Sequence, residues 1–79
     1  MKNIKVVGER VLLQINILKD EKGEEQPSQE GKVLQSGVDD VKKGATVFYN
    51  PFGAVSINSL KTKKHMFLVV DGEDVYATL

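Results

Sequence analysis

Residues 9–18 alternate, with Val11, Leu13, Ile15 and Ile17 on one face and Leu12, Gln14, Asn16 and Leu18 on the other. That two-residue period predicts a β-strand with one face toward a core. A shorter lead-in, Ile4-Lys5-Val6-Val7, breaks at Gly8. Residues 19–31 (KDEKGEEQPSQEG) are wholly polar and have no face to bury, so they read as an exposed loop. Such a length is unusual in a small domain unless the loop is functional or disordered. Residues 32–36 predict a short strand closed by Gly37, and residues 39–44 carry turn chemistry. The β-branched and aromatic run at 45–50 (ATVFYN) predicts a strand that stops at Pro51. Residues 54–57 predict another, and 66–70 and 74–79 flank Asp71-Gly72-Glu73, a hairpin signal. Several short strands, no helical period and no internal repeat predict an all-β fold, a small barrel or a sandwich spanning residues 1–79 as one domain.

Size changes what such a domain needs. With 79 residues the chain has one core, and a core this small supplies only a few kcal/mol without a staple. Cysteine is absent and His65 is the single histidine, so disulfides and a structural metal are not expected, and self-association is. Eleven basic against eleven acidic residues argue against a nucleic-acid partner bound through phosphate neutralisation. The longest apolar run, Met66-Phe67-Leu68-Val69-Val70, is too short to span a bilayer, and the first residues lack the apolar stretch of a signal peptide. A cytoplasmic protein with no membrane partner is the expectation.

Little in the chain points to catalysis. Ser28, Ser36, Ser56 and Ser59 have only His65 as a potential base, without a nucleophile-elbow motif. The acids Asp39, Asp40, Asp71, Glu73 and Asp74 fall beside glycines in turns, where carboxylates stay solvated. The seven glycines are dispersed and make no phosphate-binding loop. Phe48, Tyr49 and Phe52 suit core or interface packing better than a base-stacking platform, since no basic groove surrounds them. Lys61, Lys63 and Lys64, with Lys42 and Lys43, read as protected strand edges. The expectation is a chain that is not an enzyme, with no catalytic, cofactor-binding or metal-binding residues.

Four segments taken together carry a resemblance. They are Glu9-Arg10-Val11-Leu12-Leu13 after Asn3-Ile4-Lys5, Glu30-Gly31-Lys32-Val33-Leu34 after a proline, Val41-Lys42-Lys43-Gly44-Ala45-Thr46-Val47-Phe48-Tyr49, and the ending from Met66 through Asp71-Gly72-Glu73-Asp74-Val75-Tyr76-Ala77. In order and spacing these resemble the chaperonin-10 co-chaperonins, the small partners of the large folding chaperonin, over nearly the whole chain.

The resemblance implies an irregular β-barrel subunit in a seven-membered ring, where the first strand of one subunit pairs with the last strand of its neighbour. It places Ile4, Val6, Val75, Ala77 and Leu79 at that junction. It further implies that the loop after the first core strand docks on a chaperonin. Here that segment comprises Ile17, Leu18, Lys19, Asp20, Glu21, Lys22, Gly23, Glu24, Glu25, Gln26 and Pro27. The family carries an aliphatic anchor in the middle of a longer loop, whereas this interior has none, and the nearest aliphatics are Ile15, Ile17 and Leu18. A polar loop binds weakly where apolar burial supplies the affinity. The family's roof hairpin is also missing, because only Val38-Asp39-Asp40 separates Gly37 from Val41. Such a chain would form an open collar, as in a divergent or virus-encoded co-chaperonin. Two alternatives stand beside it: a ring-forming structural or adaptor protein, for instance in a phage particle, and an unrelated small barrel that binds nucleic acid or peptide.

Overall fold

The alternating segment forms β1 (Arg10–Lys19), the strand around which the rest of the chain is arranged. In a computed structural model that describes residues 5–19 and 21–79, with backbone alone at 25–27, five further strands follow. They are β2 (Glu25–Ser36), β3 (Thr46–Tyr49), β4 (Val55–Ser56), β5 (His65–Asp71) and β6 (Val75–Thr78). All six belong to one antiparallel sheet, ordered β4-β5-β1-β2-β3-β6. The fold is therefore all-β, and the helical elements among the described residues are three single 3₁₀ turns, Pro51–Gly53, Asn58–Leu60 and Gly72–Asp74.

The inward face predicted for β1 is observed. Val11, Leu13 and Ile15 are fully buried and meet Val33 of β2, Val47 and Tyr49 of β3, and Leu68 and Val70 of β5 in one cluster with Val41. Register explains the match, since Leu13 lies opposite both Val33 and Leu68, and Val11 opposite Val70. Each of these side chains contributes about 1.5–3 kcal/mol by leaving water. Ala54, just before β4, and Val75, in β6, pack against the same cluster from the two ends of the sheet. The sheet is thus curled around its core, and the space beside Gly53 is occupied by the Asp74 carboxylate, so its two edges approach there.

Three expectations are corrected. First, the polar segment 19–31 is not one loop: Lys19 ends β1, residues 25–31 belong to β2, and the described residues between the two strands are 21–24. Its ladder continues through Ile17 opposite Pro27, Leu18 opposite Gln26 and Lys19 opposite Glu25, after two register shifts. Backbone pairing with β1 at residues 25–27 and 31, and with β3 at residues 30–31, holds this stretch, which needs no apolar face of its own. Second, Asp71-Gly72-Glu73 does not join a hairpin. β5 pairs with β1 and β4, whereas β6 crosses to pair with β3; the Gly72 amide is held instead by the Glu9 carbonyl at 2.8 Å. Third, the described part of the lead-in, residues 5–7, is not a strand.

Candidate functional site

Among the described residues, the β1–β2 hairpin and the outer edge of β6 are two places where the sheet exposes backbone or side chains to its surroundings. In the hairpin, flanking support stops midway along the arm. On one side the last bond is from the Ile17 amide to the Lys64 carbonyl, 2.9 Å. On the other, β3 pairs with β2 at residues 30–32, and the Tyr49 hydroxyl donates to the Ser28 carbonyl at 2.7 Å. Beyond these anchors β1 and β2 pair only with each other. Ile17 is half-buried, Leu18 is 56% exposed, and Lys19 and residues 21–24 are exposed. Of the eleven residues expected in a docking loop, Ile17, Leu18 and Lys19 are in β1, and Glu25, Gln26 and Pro27 are in β2. Glu21, Lys22, Gly23 and Glu24 lie in the connection, while Asp20 falls outside the described residues.

At the other end of the sheet order, β6 is an edge strand. The Leu79 amide bonds to the Thr46 carbonyl at 2.8 Å, which puts Leu79 and Thr46 in a hydrogen-bonded pair and makes Thr78 opposite Val47 a non-bonded one. The Thr78 N–H and C=O consequently point away from β3. Val38, Val41, Val75, Tyr76, Ala77 and Thr78 line a shallow groove along this strand. The expected junction residues do not all share it in the same way. Val75 packs on the chain's own core, because a register shift between Phe48 and Tyr49 turns it inward relative to Ala77. Ala77 and Leu79 are exposed, Leu79 by 74%. Val6 is half-buried, with its amide on the Gln35 side chain, and Ile4 lies outside the described residues.

One exposed aromatic side chain was not legible in the sequence. The Asn50 side chain accepts the Phe52 amide at 3.1 Å and caps the turn Pro51–Gly53, in which Phe52 is 97% exposed; Val55 of β4 is 67% exposed. Only the Pro-Phe-Gly pattern of a turn hinted at it. Tyr49 points into the core and its neighbour Phe48 to the opposite face, so the three aromatics make no shared platform.

Titratable chemistry is sparse among the described residues. No three His, Cys, Asp or Glu side chains converge. His65 stands at the head of β5 with Nδ1 buried and unpartnered, and Lys42, Lys43, Lys61, Lys63 and Lys64 are exposed in the turns before β3 and β5. The Arg10–Asp71 ion pair, 3.2 Å, sits on the surface, where such pairs contribute about 0–1 kcal/mol. Burial raises the Tyr49 hydroxyl above its ordinary value of 10.0. No helix among the described residues is long and apolar enough to cross a membrane.

Neither a protein-family model nor a curated protein matches this sequence.

Proposed function

We propose that this chain is a co-chaperonin subunit: it assembles as a ring through strand pairing at β6, docks on an ATP-driven chaperonin as a collar, and assists folding without catalysis of its own. The observation that carries the reading is the β1–β2 arm, which leaves the body of the sheet at the position the resemblance assigns to the docking loop and exposes Leu18. An arm held by its own ladder loses less conformational freedom on docking than a flexible loop, which offsets its shortage of aliphatic contacts. The outward-facing Thr78 backbone supplies the strand edge for a neighbour, and head-to-tail pairing that closes into a ring leaves no such edge free. A cytoplasmic setting with the chaperonin and its unfolded clients as partners, and with neither nucleic acid nor membrane, follows from the same reading.

The test is to add the protein to a chaperonin under ATP turnover. Suppressed ATP hydrolysis and nucleotide-dependent co-migration support the proposal. A ring that assembles yet leaves the chaperonin's hydrolysis and mobility unchanged supports the structural or adaptor reading, which the wholly polar connection at 21–24 favours.

A further inference from the structure

The described N-terminal residues lie back against their own chain. The Val6 amide donates to the Gln35 side-chain oxygen at 3.1 Å, and the Val7 carbonyl accepts from Arg10 Nη1 at 3.3 Å. Gly8, between this segment and β1, has φ of 69°, a left-handed conformation that most side chains disfavour, and it reverses the chain at that point. Burial follows the same division, with Val6 half-buried and Val7 71% exposed. Gln35 stands directly opposite Leu12, on the face of the sheet turned away from the core. Leu12 is nevertheless only 1% exposed, in an outward position that alternation alone would leave wet.

We propose that residues 5–8 form a strap across the outer face of the sheet, with Gln35 as its positioning residue and Gly8 as its swivel. Gln35 is suited to the role because its cross-strand place beside Leu12 puts its side chain on the outer face, where its amide oxygen accepts the Val6 N–H. The Val6–Gln35 and Arg10–Val7 hydrogen bonds are of ordinary length, and each is replaceable by water or another backbone, which makes them reversible. One consequence rests on the ring-forming reading above. A Val6 N–H held by Gln35 is withheld from strand pairing with a second copy, so Gln35 and a neighbouring subunit compete for the same segment.

The experiment is amide hydrogen exchange by NMR on the full chain and on Gln35→Ala and Gln35→Glu, with sedimentation of the same samples. Val6 should be protected at least ~10-fold in the wild type and in Q35E, whose carboxylate still accepts its N–H, and unprotected in Q35A. Leu13 and Val33 should keep their protection in all three, which separates loss of the strap from loss of the fold. Free exchange at Val6 in the wild type, or equal protection in Q35A, overturns the strap. In sedimentation, larger species appearing at lower concentration for Q35A support the competition. A chain that stays monomeric in every variant refutes the ring-forming reading and the competition with it, while the strap is decided by exchange alone.

Discussion

Gly31 lies directly across from Ile15 in the β1–β2 ladder, and a Cβ built on it would stand 2.6 Å from Ile15 Cδ1 and 3.2 Å from Leu13 Cβ. The missing side chain is what lets two fully buried residues of β1 fill the core above β2. Gly31→Ala should therefore destabilise the chain by about 1–3 kcal/mol, the usual cost of overpacking, read as a lower urea midpoint at unchanged slope. A midpoint equal to wild type would mean that Ile15 repacks freely and that the close approach is not a constraint.

Tyr49 ties the arm to the body through its 2.7 Å bond to the Ser28 carbonyl. Tyr49→Phe should cost about 1 kcal/mol. A pH signature accompanies it. Burial raises the folded-state pKa above the unfolded value of 10.0, so the protonated phenol's contribution is fully present below pH 10.0 and is lost as pH rises through the folded value. The wild type should lose more stability than Y49F across that alkaline range, measured as the difference between their denaturation midpoints. Parallel curves would contradict it.

Leu18 carries the proposed docking contact and is 56% exposed. Leu18→Asp should leave thermal stability within about 0.5 kcal/mol of wild type, as for surface substitutions away from packed features. Co-migration with a chaperonin should be lost by at least ~10-fold in affinity, in line with a central apolar contact. Unchanged co-migration would move the contact elsewhere on the arm.

At the other site, Thr78→Pro removes an N–H that faces away from β3, so it should spare the monomer's fold and block addition of a neighbouring strand. Sedimentation should then show single chains with a wild-type circular dichroism spectrum. Persistence of the wild-type oligomer would show that β6 is not the junction.

The core strands were legible because burial imposes a period on the sequence: Val11, Leu13 and Ile15 announce β1, and the β-branched and aromatic residues at 46–49 announce β3. The first half of β2 was not, because it is placed by backbone pairing, residues 25–27 and 31 with β1 and residues 30–31 with β3, and backbone pairing leaves no trace in side-chain hydrophobicity. Asp71-Gly72 misled for a related reason. Its turn chemistry is real, yet the local sequence cannot say that the next strand crosses to β3. Leu12 was assigned to the polar face by alternation and is buried there, and the Val6–Gln35 bond beside it spans 29 positions, beyond any local pattern. The proposed docking segment read as a polar loop; its form as a paired hairpin, with Leu18 exposed on it, was not legible.

Native mass spectrometry of the protein, alone and then with a chaperonin and ATP, bears most directly on the proposed function. A closed ring of seven chains that joins the chaperonin only in the presence of nucleotide is the expected result. A monomer that never associates, with itself or with the chaperonin, would refute both the ring and the docking arm.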